Sequence, residues 1–249
     1  MIEPRLTDAL LIEPIAARGW PAAESAELGS WRLYASSGQS GRINTCWALE
    51  APGIDIEKAI AAAEAWYVAR GLPPKFKIVQ VGEAAFDLIA RLGRRGYRSN
   101  TPTLTMLGPL AGEIDSEATL AAHTCAGFAH VFADPSFGHE ADAAERLAAL
   151  GRIPIPRGFA LIRREGQPAA VGACAVEGAW AGVMGMRTAP AFRRQGLARR
   201  LFRTLTAFAA STGATRGYLQ VDEDNASAIA LYEAEGFESA YLYRYWEKG

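Results

Sequence analysis

Cysteine is scarce in this chain, and the three that occur, Cys46, Cys125 and Cys174, are odd in number and far apart. That spacing argues against a disulfide framework or a zinc site, and it reads as buried thiols in a reducing compartment. An excess of either charge is also missing. With 26 basic and 27 acidic residues the net charge is −1, so no global field draws the chain to nucleic acid or to an anionic membrane, and any phosphate binding must be local. Long apolar runs are absent too. The first residues, MIEPRLTDALLIEPIAARG, place Glu3, Asp8 and Glu13 where a leader needs an uninterrupted apolar stretch, and no run elsewhere approaches membrane-spanning length. The expectation is a cytoplasmic protein that needs no metal.

What remains is a globular composition. Half of the 249 residues are hydrophobic and 21% are charged, enough to build one large domain or two of ordinary size. Periodicity predicts a helix over 6–18, strands at SWRLYAS and RINTCWALE, a helix from Ile56 to Gly71, a strand at KFKIVQV, a helix at AAFDLIARLGRRG and a closing strand at PTLTML. LGPLAGEIDSE then reads as a linker, which divides the chain into 1–108, a linker at 109–117, and 118–249. Beyond it, helices are expected near 118–132 and 141–150, followed by strands at GFALIRR, PAAVGACAVE and AWAGVMGMRT. A long helix from Leu197 to about Ser211, the strand GYLQV, the helix ASAIALYEAE and the strand AYLYRYW complete the chain. Helices alternate with strands in both parts, so the class is α/β or α+β.

The two halves resemble each other at an offset of 140 residues. KIVQV (Lys77 to Val81) falls on GYLQV (Gly217 to Val221), and Gly96-Tyr97 falls on Gly236-Phe237. Helix, strand, helix and strand stay in step, as a tandem duplication would leave them. In that register Gly196 falls on Ile56, Asn225 on Ala85 and Tyr232 on Leu92. The first copy keeps apolar positions and lacks the polar ones, the pattern of a domain with no ligand to hold.

The polar features of the second half begin at RRQGLARRLF, where Gly196 stands between arginines at the start of an amphipathic helix. Glycine permits close approach to the backbone, and a helix N-terminus offers free N–H groups and a positive dipole end to an anion. The spacing is neither a P-loop nor GxGxxG. On the motif alone, a basic helix start on a solvated face is an equal reading.

Downstream residues separate the two. Arg193-Arg194-Gln195-Gly196-Leu197-Ala198, followed by a strand and then NASAIALYEAEGF from Asn225 to Phe237, resembles the signature order of the GCN5-related N-acetyltransferase (GNAT) family. The resemblance covers 118–246. It implies two GNAT-like domains, each a mixed, mostly antiparallel sheet flanked by helices, the first degenerate. It also implies acetyl-CoA as co-substrate. The pyrophosphate would lie on the amides of 193–198, with Arg193, Arg194 and Arg199 adding charge, and the pantetheine arm would run along Met186, Arg187 and Thr188. Asn225 would contact the coenzyme, and Tyr232 would protonate the leaving sulfur. Read without the family, Asn225 is a helix N-cap and Tyr232 a half-buried aromatic.

A catalytic base is harder to find. Where several relatives carry a glutamate, this chain has Gln220, which can hold a water but cannot usefully accept a proton. Asp222 and Glu223 read as solvated loop charges, and His139 as packing or surface. Tyr241, Tyr243 and Tyr245 alternate with Leu242, Arg244 and Trp246, so one face packs inward. Arg42 and Asn44 either join a cleft between the halves or lie on an exposed edge. The resulting expectation is N-acetyl transfer to a small-molecule or peptide amine, by a monomer with internally paired domains or a weak homodimer. Two rival expectations are a non-catalytic acyl-CoA sensor and, disfavoured by the near-zero net charge, a polyanion-binding module.

Overall fold

The structure, a computed structural model, describes residues 6–248; Glu3, one of the charges read against a leader, lies outside them. The first half runs α1 (Leu6–Gly19), β1 (Glu24–Leu28), β2 (Trp31–Ala35), β3 (Thr45–Trp47), α2 (Ile56–Val68), β4 (Lys75–Val79), α3 (Glu83–Arg94), β5 (Tyr97–Ser99) and β6 (Thr103–Pro109). The second runs β7 (Ala118–Ala121), α4 (Ala126–Phe132), α5 (Glu140–Gly151), β8 (Arg157–Arg164), β9 (Gln167–Glu177) and β10 (Trp180–Thr188). It continues through α6 (Leu197–Ser211), β11 (Arg216–Asp222) and α7 (Ala226–Ala234) to β12 (Glu238–Lys248).

Most expected elements form where periodicity places them, α6 within its expected bounds. The expected helix at 118–132 is divided. Its first residues form β7, an edge strand paired with β8, and the helix starts only after Cys125. Helix-favouring alanines yield there to an available sheet edge. Cys46 and Cys174 are buried as expected, whereas Cys125 is exposed.

All strands belong to one mixed sheet with the order β1-β2-β3-β4-β12-β6-β11-β10-β9-β8-β7, and β5 pairs with β12. Among the described strands, only the β3–β4 and β10–β11 pairs are parallel. Read outward from the β12–β6 pair, the order on the two sides is alike: an antiparallel neighbour, then a parallel one, then antiparallel strands.

The stretch PTLTML does not close a sheet of the first half. As β6 it lies between β11 and β12 of the second half, while β12 reaches back to pair with β4. Burial explains why β6 holds this place. Leu104 and Met106 join the core of Leu219 and Phe237, whereas Leu107 joins that of Tyr218 and Tyr241. Such a strand, buried on both faces, belongs in a sheet interior. Each fully buried Leu or Met there contributes roughly 2 kcal/mol of transfer free energy. Beyond β6, Arg200 of α6 pairs with Asp115 and Glu117, which fastens the expected linker to the second half.

Candidate active site

The parallel ladder between β10 and β11 stops at Val183 opposite Leu219. Beyond that point β10 is bonded only to β9 and β11 only to β6, so the two strands part within the sheet. A bulge between Met184 and Arg187 accompanies the parting, and Gly185 takes a φ of +62° there, a left-handed conformation that suits glycine. The gap opens into a cavity of about 340 Å³. Met186, Arg187, Gln220, Asn225 and Tyr232 all line it; Thr188 lies just past, with its carbonyl accepting from Arg193 Nε at 3.4 Å.

The glycine turn stands apart from the cavity, at the exposed N-terminus of α6. Arg194 and Gly196 are both left-handed, with φ of +60° and +73°, and no side chain caps the helix. The opening N–H groups of an α-helix have no intrahelical acceptor, and buried Leu197 anchors the first turn while Gln195 and Gly196 face outward. A β-carbon at Gly196 would meet nothing within 4 Å, so the space over these amides is open. The arginines divide in role. Arg199 is held by Glu235 at the end of α7, and Arg193 reaches Ser136 Oγ at 3.4 Å. No described carboxylate pairs with Arg194.

Tyr232 is buried against Phe202, with ring centroids 5.2 Å apart. Burial pushes its phenol up to about 12, so the hydroxyl remains a donor across the physiological range. Asn225 caps α7, its side chain accepting from the Ala228 amide at 3.2 Å, and it also lines the cavity. The two residues face the same gap from one helix, two turns apart.

Gln220 has a partner that the sequence reading missed. Its Nε2 donates to Glu13 Oε1 at 3.1 Å, which leaves Oε1 turned toward the Tyr243 hydroxyl at 3.5 Å. Glu13 is fully buried on α1 and also accepts from Tyr241 Oη at 2.8 Å and from Lys77 Nζ. Lys77 is itself sandwiched between the rings of Trp47 and Tyr243, each 3.8 Å away. A signal was present. Ala9, Ile12, Glu13 and Ala16 share one face of α1, so a carboxylate sits inside an apolar stripe.

The first half also supplies cavity wall. Ser40 and Arg42 line it, and Glu145 of α5 secures the loop that carries them. Glu145 accepts from the Ser37 amide at 2.6 Å, from the Ser40 amide, and from Asn44 Nδ2 at 3.0 Å. Burial alone would push the Glu145 carboxyl up; these donors outweigh it and hold it below the usual carboxylate range. Asn44 is therefore a loop-organising residue, and Arg42 is the one that reaches the cleft. Tyr241, Tyr243 and Tyr245 share a buried face as the alternation required, and the latter two line the cavity. Asp222 stands at its rim, accepting from Thr103 Oγ1 at 3.4 Å. His139 and Glu223 are exposed and outside the lining.

Residues 124–237 match the acetyltransferase (GNAT) family model. That stretch is similar to a GNAT-type N-acetyltransferase domain. Over 246 residues it is 25% identical to the uncharacterized N-acetyltransferase YobR of Bacillus subtilis, with 96% of this chain and 98% of YobR covered. Among solved structures, a GCN5-related N-acetyltransferase from Kribbella flavida superposes with a TM-score of 0.68 at 22% identity, covering 96% of this chain and 95% of that one. A tandem GNAT protein from the clavulanic acid biosynthesis pathway gives a TM-score of 0.61 at 15% identity, covering 98% and 89%. Members of the family use acetyl-CoA. Among the described residues no group of three or more His, Cys, Asp or Glu is arranged to hold a metal ion, and no helix is long and apolar enough to cross a membrane.

Proposed function

We propose that the second half binds acetyl-CoA in the gap between β10 and β11 and transfers the acetyl group to a primary amine by direct attack on the thioester. The observation that carries this reading is the end of the β10–β11 ladder at Val183 and Leu219, with Tyr232 facing the space it leaves. The edge of β10 from Met184 to Thr188 has no strand beside it on the β11 side, so an extended pantetheine arm can add there as a strand would. The diphosphate then lies over the open amides at Gly196, with Arg193 and Arg194 in reach; guanidinium forks suit phosphate oxygens.

In the transfer itself, the amine nitrogen attacks the carbonyl carbon, the carbon–sulfur bond breaks, and coenzyme A leaves as a thiolate that takes up a proton. The amine sheds one proton to solvent in exchange. A free amine of pKa about 10 is only about one part in a thousand neutral at pH 7, so proton removal matters to the rate. Gln220 Oε1, oriented by Glu13, is an acceptor for an amine N–H or for the water that carries its proton away. The Tyr232 phenol is a weaker acid than an alkyl thiol. Its contribution is therefore a hydrogen bond that strengthens as charge grows on sulfur, with full protonation completed by solvent.

We read the first half as a degenerate copy paired with the second inside one chain, so the protein works as a monomer. The alike strand order on either side of the β12–β6 pair supports this, as does the likeness in fold to the tandem GNAT protein of the clavulanic acid pathway. The cleft of the first half that corresponds to the coenzyme gap is lined mostly by apolar residues such as Leu49, Ile54, Ile56 and Leu88, and its charged side chains, Glu50 and Asp87, are acidic, which does not suit an anionic coenzyme.

A thiol-release assay over a panel of primary amines, with calorimetric titration of acetyl-CoA alongside, tests the proposal. Amine-dependent release supports it. Tight coenzyme binding with no release for any amine favours the non-catalytic sensor, the reading supported by an amide rather than a carboxylate at Gln220.

A further inference from the structure

Among the described residues, four charged side chains line the cavity: Arg42, Arg146, Arg187 and Asp222. Three are guanidiniums, in a chain whose charges otherwise balance. Arg146 is neutralised by Asp142, to which its Nε donates at 2.7 and 2.8 Å. Arg42 and Arg187 have no such partner, since no described carboxylate pairs with either. Arg42 lies over the Trp20 ring at 5.4 Å, with the phenols of Tyr243 and Tyr245 as its polar neighbours. Arg187 rests on the Phe132 ring at 4.0 Å and donates to the Phe132 carbonyl. Burial and the nearby Arg146 charge pull its pKa down to about 10, against the weaker opposing pull of Asp142 and Asp134.

Arg187, a half-buried cation whose contacts are ring faces and a neutral carbonyl, is incompletely compensated, and an anion entering the cavity would relieve it. Arg42, whose charge is held against its burial by the Tyr243 and Tyr245 phenols and by Glu13, stands on the same lining as a second cation. The diphosphate of the coenzyme does not serve, because the open amides of the glycine turn lie outside this lining. The volume points the same way. About 340 Å³ is near the lower end of the roughly 300–1,000 Å³ of small-molecule sites, and the acetyl end of the coenzyme must share it.

Resting on the transferase reading above, we propose that the acceptor is a small primary amine that also carries an acidic group, held by Arg42 from the first half and Arg187 from the second. The loop fastened by Glu145 brings Arg42 to the site, so the first half takes part in substrate selection. Polyamines and other purely cationic acceptors are disfavoured by the same guanidiniums.

The test compares α-amino acids, aminoalkylphosphonates and the uncharged amides of the same amino acids in thiol release, for the full chain and for Arg42→Met and Arg187→Met, with thermal melts to establish folding. The two acidic series distinguish carboxylate from phosphate recognition. We expect an acidic series to exceed the amides in kcat/KM by about 10- to 100-fold, as for the loss of a charged hydrogen bond. Arg42→Met should remove most of that ratio and leave the KM for acetyl-CoA unaltered. Equal rates for acids and amides, or a ratio unchanged in folded Arg42→Met, would overturn the inference. If no amine turns over, the transferase reading fails instead; calorimetric binding of N-acetyl amino acids against their amides then decides this one, and equal affinities would overturn it.

Discussion

Gln220 Nε2 donates to Glu13 Oε1 at 3.1 Å, and this bond ties β11 at the candidate active site to α1 at the start of the described chain. The same carboxylate holds Tyr241 and the fully buried Lys77. Side-chain orientation in the second half thus depends on a charge pair supplied wholly by the first.

Removing one member of a buried pair leaves the other charge uncompensated, which typically costs about 3–5 kcal/mol. Glu13→Ala should therefore lower unfolding stability by about that amount, read from urea denaturation. Glu13→Leu combined with Lys77→Met should recover most of it, because an apolar pair of similar volume needs no compensation. A loss below about 1 kcal/mol in Glu13→Ala would show that the pair is not compensated as described.

Tyr232→Phe should reduce kcat by about 100-fold, the lower range for a hydrogen-bond donor aimed at developing charge, with acetyl-CoA affinity nearly unaltered. The hydroxyl has little to do until charge develops on sulfur. Unchanged turnover, with chemistry established as rate-limiting by single-turnover kinetics, would remove Tyr232 from that role.

The same phenol makes stability depend on pH. Its folded-state pKa of about 12 lies above the roughly 10 of an unfolded tyrosine. The folded state therefore retains the proton that the unfolded chain loses. This contribution is fully present below pH 10, declines as pH rises, and is lost above pH 12, amounting to about 3 kcal/mol. Between those limits Tyr232→Phe should flatten the decline of the denaturation midpoint relative to the unaltered chain. Parallel curves for the two proteins would contradict it.

Gly196→Glu tests the anion site. Open space around a β-carbon there means no clash, so the folded state loses only about 1–2 kcal/mol for a left-handed non-glycine residue. A carboxylate over the helix N-terminus should nevertheless reduce acetyl-CoA binding below detection by calorimetry. Normal binding in a folded variant would place the diphosphate elsewhere.

Local sequence revealed the helices and most strands because their periodicity is set within ten or fifteen residues. The placement of β6 had no local signal: its partners lie more than a hundred residues away, and TLTML reads the same beside strands of either half. Alanine-rich 118–132 read as one helix because propensity is local, whereas the edge of β8 that captures β7 is not. In the site, Gly196, Asn225 and Tyr232 stood out through their spacing. Glu13 and Glu145 did not, since a carboxylate on a helix ordinarily faces water; only tertiary packing supplies the donors that let each be buried.

The most direct measurement is a crystal structure with acetyl-CoA bound. The diphosphate should lie on the amides around Gly196, the pantetheine arm along Met184–Thr188, and the thioester sulfur within hydrogen-bonding reach of Tyr232 Oη. A coenzyme bound outside the β10–β11 gap, or a thioester remote from Tyr232, would contradict it.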